Sequence, residues 1–231
     1  MGTLYIVSTP IGHLSDISYR AIETLQSVDL ILSEDTRRTG ILLTRYAIKT
    51  AQERYDEYVE ERKIPAVLSL LREGKNIALV SSAGTPLISD PGYKLVRSCI
   101  QEQILVVSIP GPSSVLTALT VSGLPPDKFL FLGFLPKKEG KRRTILTSVF
   151  EMSKNMNMTV ILFESPFRIK RTLQELLTIF GKHVPCAVAK ELTKIHEEVY
   201  RGSLEELSKW AEKPSFKGEY TLIFSLEKEK A

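Results

Sequence analysis

Four short segments carry most of the residues able to do chemistry, and each follows a predicted strand. One, Ser33-Glu34-Asp35-Thr36-Arg37-Arg38-Thr39-Gly40, packs carboxylates, hydroxyls and guanidinium groups at the start of a predicted helix. It offers a base and a contact for an anion, although plain capping by Asp35 or Thr36 with solvated arginines explains it as well. Another, Ser81-Ser82-Ala83-Gly84-Thr85-Pro86-Leu87-Ile88-Ser89-Asp90-Pro91-Gly92, combines small residues that let a ligand approach the main chain with prolines that fix its shape. A side chain at Gly84 would then fill space that a ligand needs. The remaining two are Ser8-Thr9-Pro10-Ile11-Gly12-His13 and Pro110-Gly111-Pro112-Ser113-Ser114. The latter opens a helix, with Pro112 read at its first position, and either binds an anion there or simply starts the helix. No G-x-G-x-x-G follows the first strand, and no Walker loop, H-E-x-x-H or G-x-S-x-G occurs. His13, His183 and His196 are scattered, and Cys99 and Cys186 lie in apolar patterns without metal-site spacing, so no metal is expected.

The elements around these segments define the architecture. Apolar spacing predicts strands over 4–7, 28–32, 77–80 and 104–109, alternating with helices over 18–26, 36–46, 57–72 and 91–100. Short apolar strands separated by helices indicate an α/β domain with a mostly parallel sheet covered on both faces. Ligands of such sheets sit beyond the carboxyl ends of the strands, where the four segments lie. Turn residues at Gly123-Leu124-Pro125-Pro126-Asp127 suggest two domains, 1–122 and 123–231. The second half has more strand per helix: strands over 129–134, 159–163, 184–189, 197–201 and 220–226, with helices up to 153, over 166–180 with Pro166 early in it, and over 204–211. That predicts a mixed sheet.

Composition excludes several classes. In 231 residues, 43% hydrophobic and 25% charged, there is enough apolar surface for a folded core. No apolar run approaches the roughly 20 residues that span a bilayer, and the longest, such as 129–135, read as buried strands. The first residues lack the pattern of a signal peptide, and a cytoplasmic protein is expected. The net charge of +4 is compatible with a polyanionic partner. Residues 137–143, Lys-Lys-Glu-Gly-Lys-Arg-Arg, place five cations and one anion at a helix start, against the helix macrodipole. A solvated helix start is the bland reading; phosphate contact is the functional one. No aromatic residue is interleaved to stack bases.

Thr9-Pro10-Ile11-Gly12, Glu34-Asp35-Thr36-Arg37, Ala83 to Gly92, Pro110-Gly111-Pro112 and Lys190-Glu191-Leu192-Thr193-Lys194, in this order, resemble the rRNA ribose methyltransferases of the tetrapyrrole (corrin/porphyrin) methylase superfamily. The resemblance runs over nearly the whole chain. It implies a two-domain α/β fold with S-adenosylmethionine in the interdomain cleft, a homodimer, and 2′-O-methylation of a cytidine ribose in the decoding region of 16S rRNA in the small ribosomal subunit. By position, Pro10, Ser82, Ala83, Gly84, Thr85, Leu87, Ile88, Ser113 and Ser114 would bind the cofactor, with Phe163, Glu164, Leu192 and Gly218 around its adenine. Glu34, Asp35, Lys190 and Glu191 are the candidates for a base or an orienting group, the alternative being a structural ion-pair cluster. Lys190 would serve only if burial lowered its pKa. Arg37, Arg38, Lys141, Arg142, Arg143 and Lys194 are the candidates for phosphate contact. The chain departs from the family at His13, Ser82, Phe167, Lys190 and the stretch Tyr55-Asp56-Glu57-Tyr58-Val59-Glu60. A small-molecule methyltransferase and a cofactor- or ribosome-binding module without turnover are the alternative readings.

Overall fold

The structure is a computed structural model that describes residues 1–212 and 217–227. The chain divides into two compact units, Met1–Ser113 and Ser114 onward. In the first, β1 (Thr3–Val7), β2 (Leu30–Ser33), β3 (Gln52–Arg54), β4 (Ile77–Val80) and β5 (Leu105–Ile109) form one sheet in the order β3-β2-β4-β1-β5. Every pair in it is parallel. The crossovers are α1 (Tyr19–Ser27), α2 (Thr36–Arg45), α3 (Glu60–Arg72) and α4 (Tyr93–Gln101). Alternate residues of each central strand serve opposite faces: Leu4, Ile6, Leu32, Ile77 and Leu79 pack with Val67, Leu71, Leu95 and Cys99 of α3 and α4. Val7, Ile31, Ala78 and Val80 pack with Ala21, Leu25, Leu42 and Leu43 of α1 and α2. This double burial explains why the strands read as unbroken apolar runs. The short polar strand β3 has no such run and escapes prediction.

The second unit contains α5 (Ser114–Ser122), β6 (Phe129–Phe134), α6 (Glu139–Ser153), β7 (Thr159–Glu164), α7 (Ile169–Phe180), β8 (Pro185–Lys190), β9 (Glu198–Ser203), α8 (Leu204–Trp210) and β10 (Tyr220–Ser225). Its sheet runs β6-β7-β10-β8-β9 and is mixed: β6 and β7 are parallel, the remaining pairs antiparallel. One face carries Val160, Leu162, Val188, Leu222 and Phe224 against Leu146, Leu173, Leu176 and Leu207 of α6, α7 and α8. α5 packs on β7, β8, β9 and β10. Arg201 of β9 donates to the Val121 carbonyl at 3.0 Å and 2.5 Å, capping that helix. The division therefore falls at 113/114 rather than 122/123, because the turn cluster follows a helix that belongs to the second sheet.

Three local expectations change. α5 starts at Ser114, so Pro112 precedes the helix instead of occupying its first position. α7 starts at Ile169, leaving Pro166 in the preceding turn. The run 129–135 is an edge strand with Phe129 and Phe134 exposed, since β6 pairs only with β7. Among the described residues no helix is long and apolar enough to cross a membrane, and no cluster of His, Cys, Asp or Glu could hold a metal.

Candidate functional site

Because β2, β4, β1 and β5 are neighbours and parallel, the four segments after them emerge side by side at one end of the first sheet. They are bonded to one another. Thr9 and Gly84 exchange main-chain hydrogen bonds at 2.9 Å and 3.0 Å, an isolated two-bond bridge between the first and third segments. The Ser8 hydroxyl lies 3.1 Å from that of Thr85, which donates to the Pro112 carbonyl at 3.1 Å. Glu34 accepts the Ser82 N–H at 2.9 Å and so ties the second segment to the third. A Cβ at Gly111 would stand 3.0 Å from that of Ser8, so glycine there eases the close approach of the first and fourth segments.

The 81–92 segment is held in an unusual conformation. Gly84, Leu87, Ser89 and Gly92 all have positive φ, at 81°, 73°, 67° and 126°. Leucine in the left-handed region is uncommon, and such strain concentrates where a ligand must be held. Ser82, Ala83, Thr85 and Leu87 are partly accessible and Ile88 is exposed, while Pro10 and Gly84 are buried. The space beside Gly84 is already taken by Ile11, whose Cγ2 would lie 3.2 Å from an added Cβ. Gly84 thus helps set the shape of the loop, and the buried Pro10 packs beneath it. Ser113 and Ser114 are partly accessible.

The candidate bases fare differently. Asp35 is the N-cap of α2, accepting the Arg37 N–H at 2.9 Å. The Arg37 guanidinium bonded to it holds its carboxyl down at about 2, too low for a useful base at neutral pH. Lys190 donates to Glu198 at 2.7 Å, which raises its pKa and keeps it charged, so it is no neutral base. Burial works to raise the Glu191 carboxyl, but Lys194 and the Glu219 N–H outweigh it and hold it below the usual range. Glu191 and Thr193 have positive φ, and the Glu191 side chain fills the place where a Cβ of Gly218 would be. Glu191, Lys194, Gly218 and Glu219 therefore form a structural knot. The group that sequence reasoning missed is Asp90. Burial and the nearby Glu34 charge push its carboxyl up to about 7, against a hydrogen bond from Ser81. Its only signal in the sequence was its place in the 81–92 segment.

Other candidates are corrected by burial. Arg142 is 2% exposed and forms a two-bond pair with Glu175, so it cannot reach a phosphate. Lys194 is paired with Glu191 and Glu219 at 2.8 Å and 2.9 Å. The Glu164 carboxylate is fully buried, accepting from Ser165 N–H and the Thr172 hydroxyl, and Leu192 is buried too, so neither side chain is free for an adenine. Phe163 stays partly accessible beside Phe131 and Phe134, at centroid distances of 4.9 Å and 5.5 Å. Arg37, Arg38, Lys141 and Arg143 remain exposed.

A doubly covered parallel sheet with a strained, small-residue segment at its carboxyl end, followed by a mixed five-stranded unit, has a counterpart among known families. Residues 3–208 match the model of the Tetrapyrrole (Corrin/Porphyrin) Methylases, and the chain belongs to that family. Within it, the chain is 47% identical over 225 residues to ribosomal RNA small subunit methyltransferase I of Thermotoga maritima, covering 97% of this chain and 99% of that one. It is 48% identical to the protein of that name from Halalkalibacterium halodurans, over 96% of this chain and 75% of the relative. The fold is shared with cobalt precorrin-4 methyltransferase of cobalamin biosynthesis (TM-score 0.72, 19% identity, 96% of this chain and 94% of the other). It is also shared with uroporphyrin-III C-methyltransferase from Thermus thermophilus complexed with S-adenosyl homocysteine (TM-score 0.66, 18% identity, 96% and 97%).

Proposed function

We propose that this protein uses S-adenosylmethionine to methylate rRNA of the small ribosomal subunit, at the 2′-hydroxyl of a cytidine ribose in the decoding region. The observation that carries the reading is the bonded set of four segments around the strained 81–92 loop, in a chain nearly half identical to small-subunit rRNA methyltransferases over its length. The residues present suit the cofactor. The partly accessible serines Ser82, Ser113 and Ser114 offer hydroxyls that match its polar amino-acid and ribose groups, and the Glu34 and Asp90 carboxyls suit a ligand with net positive charge.

When bound, S-adenosylmethionine supplies an electrophilic methyl group on a sulfonium. The chain's own part is to position it: Glu34, fixed on the Ser82 N–H, sets the loop, and alignment of two reactants is worth roughly 7–11 kcal/mol of a barrier. Asp90, with its carboxyl near 7, replaces Asp35, Lys190 and Glu191 as the group suited to accept the hydroxyl proton, a contribution of about 10²–10⁴-fold. The same reading places the protein in the cytoplasm, where small subunits are, and expects a homodimer, which sedimentation measures.

The test is transfer of labelled methyl from S-adenosylmethionine to small subunits lacking the modification, followed by nucleoside analysis. 2′-O-methylcytidine in the decoding region is the expected product. Cofactor binding with no transfer to subunits, or transfer to a tetrapyrrole instead, overturns the reading.

A further inference from the structure

We infer that the turn joining β6 to α6 is a platform for single-stranded RNA, on which Phe134 stacks a base and Lys137, Lys138, Lys141 and Arg143 take the flanking phosphates. The inference rests on the rRNA reading above and specifies how that substrate is held.

It starts from a bulge. Leu130 and Leu132 pack into the core, so simple alternation would send Phe134 the same way. Instead the register slips between Phe131, opposite Ile161, and Phe134, opposite Phe163, with Gly133 at φ 61°. One extra residue turns Phe134 to the side of Phe131 and Phe163. There its ring tilts at 57° to that of Phe163 and remains 55% exposed. An aromatic ring backed by Phe163, which itself packs on Phe131, and still more than half exposed offers what any base can stack on.

The turn that follows is anchored more strongly than a solvated charge run requires. Three consecutive carbonyls are held by arginines: Leu135 by Arg168 at 2.7 Å, Pro136 and Lys137 by Arg142 at 3.0 Å and 3.1 Å. Arg168 is tied in turn to Glu164 at 3.3 Å, and Arg142 to Glu175. Leu135, buried beneath, pins the same stretch. The anchored turn presents Lys137 and Lys138 outward, and the first turns of α6 add Lys141 and Arg143. None of these four has an ion pair among the described residues, whereas the single acid of the run, Glu139, is taken by Arg171 at 2.5 Å. Buried Arg142 and partly buried Arg168 thus position the cations through the main chain that carries them. Complementarity to a polyanion, with a ring beside it, selects single-stranded nucleic acid as the occupant over the apolar face of a second copy.

The experiment measures binding of the full-length protein to a single-stranded RNA of about 10 nucleotides and to a duplex of the same length, at several salt concentrations. The wild type is expected to prefer the single strand. Phe134→Ala should weaken that binding about tenfold with an unchanged salt slope, and Phe134→Tyr should restore it. Lys137→Ala with Lys138→Ala should flatten the slope by about 1.4. Circular dichroism confirms that each variant is folded. Equal affinity of wild type and Phe134→Ala for the single strand, or equal affinity for strand and duplex, overturns the inference. So does a Phe134→Ala protein that changes from dimer to monomer in sedimentation while its RNA affinity is retained, since Phe134 then serves contact between copies. Failure of the broader reading shows separately, as a wild type that binds RNA but methylates no subunit.

Discussion

Asp90 and Glu34 share one corner of the first unit, and their neighbourhood makes two measurable differences. As a proton acceptor, Asp90 must be ionised, so the methylation rate should rise with pH through about 7, and Asp90→Asn should abolish that limb. A pH–rate profile checks it. The linkage to stability runs the other way. The folded carboxyl titrates near 7 and the unfolded one near 3.8, so between those values the native state holds the extra proton. Its contribution is fully present below pH 3.8 and is lost as pH rises through 7. Asp90→Asn should therefore gain about 1–2 kcal/mol over the wild type at pH 8 relative to pH 4, after allowance for partial exposure, as read by denaturant midpoints. For Glu34→Ala, the freed Ser82 N–H should weaken cofactor binding by about 1.5–3 kcal/mol, and the loosened loop should lower the rate at saturating cofactor as well. Calorimetry and saturation kinetics separate the two effects. Substituting Gly84 is less informative: its positive φ and the Ile11 contact mean that a lost affinity would report a deformed loop.

At the scale of elements, the basic helix α6 is two things at once. Arg142 faces inward, where its pair with Glu175 and its bonds to two carbonyls fasten α6, α7 and the turn before them. Arg143, the next residue, faces water. Arg142→Ala leaves the Glu175 carboxylate without its main partner and should cost on the order of 3–5 kcal/mol, whereas Arg143→Ala should change stability by less than about 0.5 kcal/mol. Thermal unfolding of the two variants checks the contrast. In RNA binding the order should reverse, Arg143→Ala flattening the salt slope by about 0.7 for a single strand. A charge run read by composition cannot reveal this, because neighbouring positions on a helix point about 100° apart.

For the whole molecule, ligand linkage gives the broadest test. If the four segments bind S-adenosylmethionine only in the folded state, the cofactor at about 100 times its Kd should stabilise the protein by about 2.7 kcal/mol. For a chain of this size that raises Tm by roughly 5–10 °C in a calorimetric scan. No shift at millimolar cofactor would remove these segments as its site.

The sequence by itself determined the α/β class, the parallel first sheet and the mixed second one. Those follow from strings such as Ile77–Val80, whose four consecutive buried residues demand cover on both faces, and from glycines and prolines that stop elements locally. It also located the four segments, because any loop after a parallel strand comes to the same sheet end. Only the tertiary structure decided which charged residues are free to act. Arg142, Lys194, Glu164 and Glu191 carry the same charges as Arg143 and Asp90, and what separates them is whether distant partners such as Glu175, Glu219 or Thr172 already satisfy them. The outward turn of Phe134 and the raised carboxyl of Asp90 arise likewise, one from register against β7 and the other from burial beside Glu34. Local preference is written along the chain, whereas desolvation and pairing depend on residues that meet only after folding.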